Sequence, residues 1–275
     1  MKRFVLILLS LLLIAVCAVS FAEETPWVTV ENVREHSGYV WREDIPSYNG
    51  AEEQGYQPFA MDPEEAYQRL RDAYDRGQDE ATRELLQSWG IEMEPCGAPV
   101  LRELISQADL QHHGHSDVST ENVPLVQLIS FSGWGWGEEG TLIFVEQWPN
   151  WYLWDYIPSA CEGFHLCGTD RGTMVYLEFS VIGHGTGCYV RYIDVYHLQT
   201  RRIEASYTTY GYEVFQNVGI QVYGSACYAR DGMHVFRRLS LQAFDEALNE
   251  YVPTGSVLDA FDYSIDEQGN LELIN

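Results

Sequence analysis

Lysine is almost absent from this chain: Lys2 is the single one among 275 residues. Without its first 22 residues the sequence keeps 14 arginines against 41 aspartates and glutamates, a net charge of −27. A surface that negative repels phosphate backbones and anionic headgroups, so no nucleic-acid partner is expected. It suits solubility outside the cell and cationic partners such as calcium, yet no D-x-D-x-D-G loop is present to bind that ion. Also missing are the H-E-x-x-H zinc motif, a repeat at fixed spacing, and any long apolar run after residue 22. These absences argue against a zincin, a solenoid and a transmembrane segment in the mature chain. Cysteine is scarce, and after Cys17 only Cys96, Cys161, Cys167, Cys188 and Cys227 follow. Cys161 and Cys167 are the disulfide candidates, spaced to close a short loop in an oxidising compartment. Five thiols leave at least one over, and the pairing stays open.

The one long apolar run is at the start. Met1, Lys2 and Arg3 precede Phe4 to Val19, and Ser20, Phe21 and Ala22 stand ahead of Glu23 and Glu24. This is the pattern of a secretory signal peptide over residues 1–22, cleaved near Ala22. An uncleaved anchor helix and a lipidated Cys17 are the rival readings. The expected location is secreted or cell surface.

Residues 23–61 are acidic and aromatic with little periodicity, and read as an irregular arm. Residues 62–120 read as a helical region. Asp62, Pro63, Glu64 and Glu65 announce a helix that Gly77 stops, with Ala66, Tyr67, Leu70, Ala73 and Tyr74 on its apolar side. A second helix is expected from Asp79 to Trp89, burying Ala81, Leu85 and Trp89. Pro99 opens a third, with Val100, Leu101, Leu104, Ile105 and Ala108 inward.

From 121 to 275 the period changes from helical to alternating. Leu125–Phe131 and Thr141–Gln147 read as strands, and Thr173 to Tyr207 reads as three strands of an antiparallel meander, turning at Gly183–Gly187 and at Thr200–Arg202. Hairpins follow at Asp231–Gly232 and at Gly269, with a short helix expected from Gln242 to Tyr251. Strands grouped after helices make the fold class α+β: an N-terminal helical segment packed on a mainly antiparallel β-sheet domain.

Three constellations could carry chemistry. The first is aromatic: Trp134, Trp136, Trp148, Trp151 and Trp154 fall in one short window with Glu146 among them. Such rings stack on sugars or grip peptides while a carboxylate takes their hydroxyls or amides; the competing account is that they fill the sheet core. The second is His113, His115 and Asp117 with the distant His184. Its spacing resembles part of the H-x-H-x-D-H signature of metallo-β-lactamase-like hydrolases, whose imidazoles and carboxylate hold zinc and acidify a bound water. Val118 stands where that family has a further histidine. His113 with Cys161 also resembles the His-Gly and Ala-Cys-x-Gly pair of caspase-like peptidases.

A further resemblance covers residues 172–275. GHGTG at Gly183–Gly187, the strand ending in VYHL, and a late strand with Phe261 and Tyr263 resemble a β-rich secreted bacterial domain. That domain is similar to extensions of antibiotic-sensing peptidases of the BlaR type. The resemblance implies an exported sensing or binding module and brings no catalytic residue with it. The expected function is thus noncatalytic binding of an extracellular ligand, glycan or peptide, without a cofactor. The alternative is a zinc-dependent hydrolase built on His113, His115, Asp117 and His184.

Overall fold

Asp62 caps the first helix as its position predicts. Its carboxylate accepts the backbone N–H groups of Glu64 and Glu65, both at 3.0 Å, and Pro63 fills the first turn. This helix, α1, spans Pro63–Ser88 in the computed structural model, which describes residues 56–113, 119–131, 140–169, 172–185, 187–215, 218–229, 232–266 and 268–274. The leader and most of the acidic arm lie outside the described residues. Gly77 and Gln78 leave helical geometry, so α1 is two legs meeting at the glycine expected to end the first. That break resets the phase: the second leg buries Thr82 and Leu86, one position beyond the expected Ala81 and Leu85. Gly90 closes the helix in the left-handed region at φ 77°, its N–H donating to Gln87 while that of buried Ile91 donates to Leu86.

Pro99–Ile105 corrects the expectation of a third helix. It is a strand, β2, and the helix that follows, α2, is Gln107–His113. Val100, Leu101, Leu104 and Ile105 match a helical stripe, but pairing with a neighbouring apolar strand outweighs that local preference. Pro99 sits at the first strand position, where its missing N–H breaks no ladder. Ser106 and Asp109 form a reciprocal cap that starts α2 after the strand ends.

Two antiparallel sheets result. The first joins β1 (Phe59–Ala60), β2, β3 (Val126–Phe131), β4 (Gly140–Gln147) and β5 (Asn150–Ile157) in the order β1-β5-β4-β3-β2. The second is an eight-strand meander in chain order: β6 (Ala160–Thr169), β7 (Gly172–Gly185), β8 (Cys188–His197), β9 (Arg202–Phe215), β10 (Val218–Ala229), β11 (Gly232–Asp245), β12 (Glu250–Ile265) and β13 (Leu271–Ile274). Every strand pair in both sheets is antiparallel. The expected helix at 242–251 is the β11–β12 hairpin. Asp245 Oδ1 takes the N–H groups of Ala247 and Leu248, and Asn249 turns the chain at φ 54°.

Alternation decides the layers. In β4, Leu142 and Phe144 meet Leu70 and Leu86 of α1 and Ile91 just after it, whereas Ile143 and Val145 meet the second sheet through Val175, Leu177, Phe179 and Tyr196. The first sheet is therefore the middle of three layers. The second sheet also curls over itself, enclosing Met174, Tyr176, Val195, Tyr207, Met233, Val235 and Tyr263. His165 of β6 stacks on Tyr228 of β10 at 3.7 Å, and Leu271 donates its N–H to Glu204 at 2.8 Å, closing the roll.

Candidate functional site

The β4–β5 turn carries Trp148 into solvent, where it is 86% exposed. Beside it opens a cleft of about 520 Å³ between the first sheet, the start of α2 and the β8–β9 turn. Its walls hold Trp148 and Trp154, the apolar Val123, Leu125, Val145 and Leu198, and the polar Gln107, Asn122, Glu146, Gln147 and Gln199. Among the described residues, the side chains of Gln107, Asn122, Glu146, Gln147 and Trp148 have no internal hydrogen-bond partner. Their donors and acceptors are left to whatever fills the cleft.

The back wall is fixed. A bulge opposite Ile143 and Phe144 makes Trp154 the extra residue of β5, which aims its ring at the core between the sheets. Its indole N–H donates to Leu198 at 2.9 Å, and the Arg201 guanidinium lies 6.0 Å from its ring. Buried Arg201, at φ 59°, also reaches Asp155 at 3.4 Å and the Tyr56 carbonyl at 3.2 Å. Asp155 in turn accepts the Tyr196 hydroxyl at 2.8 Å, so one charged network pins the β8–β9 turn against β5. Gln199 is held as well, accepting from Val175 N–H at 3.1 Å and donating to the Thr173 carbonyl at 3.2 Å.

The structure thus brings together three of the expected aromatic-site residues: Glu146, Trp148 and Trp154. Trp151 is not with them; it packs into the core under α1. Trp134 and Trp136 lie outside the described residues. Gln107, Asn122, Gln147 and Gln199 were not legible as site residues, because separate segments supply them and only the three-layer packing makes them neighbours.

The zinc constellation falls largely outside the described residues: His115 and Asp117 do so entirely, and of His113 and His184 only the backbone is described. His113 ends α2 and His184 lies far along β7. The start of β7 touches the described end of the histidine loop, where the Thr173 hydroxyl donates to the Ser119 carbonyl. His184 stands eleven residues further on, about 36 Å at strand spacing. Among the described residues no group of three or more His, Cys, Asp or Glu could hold a metal ion.

The disulfide expectation is corrected. Cys161 and Cys167 are both free thiols in the single strand β6, where six residues span about 20 Å and a disulfide allows less than about 7 Å. Nor is Cys161 set up as a nucleophile. It is buried, burial pushes its thiol up to about 12, and its Sγ donates to the Gly163 carbonyl at 3.5 Å. Register does assemble one constellation that spacing could not announce: Cys227, His234 and Asp262 stand opposite one another on three adjacent strands. His234 Nδ1 meets Asp262 Oδ1 at 2.8 Å, but no hydrogen bond joins Cys227 to His234. The link that would activate the thiol is missing.

No helix among the described residues is long and apolar enough to cross a membrane. Comparison with protein-family models, curated proteins and solved structures finds no match to this chain.

Proposed function

We propose that this protein is an exported, noncatalytic module that binds a neutral glycan in the cleft between Trp148 and Trp154. The observation that carries the reading is the 86% exposure of Trp148 at the rim of a cleft whose Gln107, Asn122 and Gln147 amides have no partner among the described residues. An indole held in water offers an apolar face to the C–H side of a pyranose ring, and the unpartnered amides of Gln107, Asn122 and Gln147 offer donors and acceptors to its hydroxyls. A volume of about 520 Å³ accommodates two or three sugar units. Among the described residues Glu146 is the one carboxylate of the lining, and no second acid stands opposite it as glycoside hydrolysis needs. The signal-like amino terminus supports export, and the resemblance of residues 172–275 to an uncharacterised secreted β-rich domain, which brings no catalytic residue with it, supports a binding or sensing module.

Calorimetric titration with cellohexaose, xylohexaose and chitohexaose tests this. At least one of the three is expected to bind. Trp148→Ala should weaken that binding about 30-fold, the ~2 kcal/mol of an aromatic anchor. Absence of binding to all three, or equal affinity in the variant, refutes the reading.

A further inference from the structure

A second polar hollow lies on the second sheet, where β10, β11 and β12 run side by side. It measures about 380 Å³, within the range of small-molecule pockets (roughly 300–1,000 Å³). Alternation puts Gln221 and Tyr223 of β10 on its face with Arg238, Ser240 and Gln242 of β11. Ile220, Val222, Leu239 and Leu241 turn to the opposite face as a buried apolar cluster. In β12 the register slips so that Leu241 faces Gly255 and Gln242 faces Pro253, a bulge at Thr254 that bends the strand around the hollow.

The polar groups are already ordered. Gln242 Nε2 donates to Gln221 Oε1 at 3.3 Å, and Gln221 Nε2 donates to the Tyr223 hydroxyl at 2.8 Å. A hydroxyl that accepts from Gln221 has its own proton free to give outward. Arg238 is paired directly across from Tyr223 and is exposed, and among the described residues its guanidinium has no ion pair or hydrogen bond. Tyr223 is 50% exposed; its ring meets Tyr210 at 5.3 Å, and Tyr210 meets Tyr189 at 5.7 Å. In a chain of formal net charge −25, the lining of this hollow contains, among the described residues, an arginine and no aspartate or glutamate.

The Tyr223 hydroxyl and the Arg238 guanidinium come from directly paired residues of one lining, and such donors, with no carboxylate beside them among the described residues, suit an anionic acceptor. Serine and glutamine side chains around them suit hydroxyls, and the adjoining tyrosine row suits a sugar ring. We propose that this hollow binds a carboxylate-bearing saccharide, a uronate. Arg238 and the Tyr223 hydroxyl hold the carboxylate, Ser240, Gln242 and Ser256 take hydroxyls, and the next sugar lies along Tyr210 and Tyr189. The site is separate from the cleft at Trp148 and does not depend on it.

Digalacturonate and its neutral dimethyl ester, titrated into the full chain at low salt, read this site directly. Wild type should bind digalacturonate at least about tenfold more tightly than the ester, the scale of a charge-assisted pair. Arg238→Gln should weaken digalacturonate by a similar factor, and Tyr223→Phe, which deletes one hydroxyl and keeps the ring, by about threefold to tenfold. Trp148→Ala should bind digalacturonate as wild type does, whatever happens to its neutral-sugar binding. Equal affinity for acid and ester, undiminished binding in Arg238→Gln, or loss in Trp148→Ala overturns the proposal. Thermal melts of each variant confirm that the exposed substitutions leave the fold intact.

Discussion

Trp148 and Trp154 stand six residues apart, and one bulge in the β4–β5 ladder separates their roles. The crowding of tryptophans is plain in the sequence, but which ring faces water is a matter of register, and register is not written in so short a window. Truncation should expose the difference. Trp154→Ala removes a ring packed between two sheets and should cost about 3 kcal/mol, lowering Tm by roughly 6–12 °C. Trp148→Ala should stay within about 0.5 kcal/mol. Equal destabilisation would contradict the assignment of floor and rim. The thiols divide in the same way. Burial pushes Cys167 up to about 11 and Cys161 up to about 12, while Cys227 is exposed. Under iodoacetamide at neutral pH, mass spectrometry should find Cys227 alkylated in the native protein, and Cys161 and Cys167 only after unfolding. A Cys161–Cys167 disulfide in the same spectra would refute their placement on one extended strand.

At the scale of elements, the hairpins are the legible part. Alternation from Thr173 to Tyr207 and the turns at Gly232 and Gly269 mark β7 to β13 because each strand pairs with its neighbour in sequence. β2 was not legible, since its apolar residues satisfy a helical stripe and only the edge of β3 makes it a strand. The β11–β12 turn hid for a similar reason: its polar run matches a helix end until the Asp245 side chain claims the N–H groups of the turn. One glycine shapes the roll of the second sheet. β10 pairs with β9 only up to Tyr223, and a Cβ on Gly224 would stand 2.0 Å from the Thr208 carbonyl oxygen. Because that obstacle is backbone, Gly224→Ala should destabilise by about 3 kcal/mol, with chemical denaturation as the measurement. A stability change under about 0.5 kcal/mol would show that β9 and β10 part without needing the glycine.

In the whole molecule, three layers and a curled second sheet are held by polar groups in the interior as well as by apolar packing. Glu178 sits inside the roll. Burial raises its carboxyl, but His165 at 3.3 Å and the hydroxyls of Tyr207 at 2.8 Å and Tyr228 at 2.9 Å outweigh burial and hold it below the usual range. A depressed carboxyl contributes stability above the unfolded glutamate pKa of about 4.3, and that contribution is lost as pH falls through the lower folded value. Wild type should therefore melt higher than Glu178→Gln at pH 6, by about 1–3 kcal/mol, with the gap closing toward pH 3. A gap independent of pH would mean that shape, not charge, holds the roll. The cleft depends on this larger arrangement, since α2, the first sheet and the β8–β9 turn each supply a wall.

Titration of purified protein with the three neutral hexaoses, followed by sizing of the recovered sugar, tests binding without catalysis most directly. Saturable binding is expected, weakened about 30-fold in Trp148→Ala, with the sugar returned at full length. No binding, binding indifferent to Trp148, or recovery of shortened sugar would contradict it.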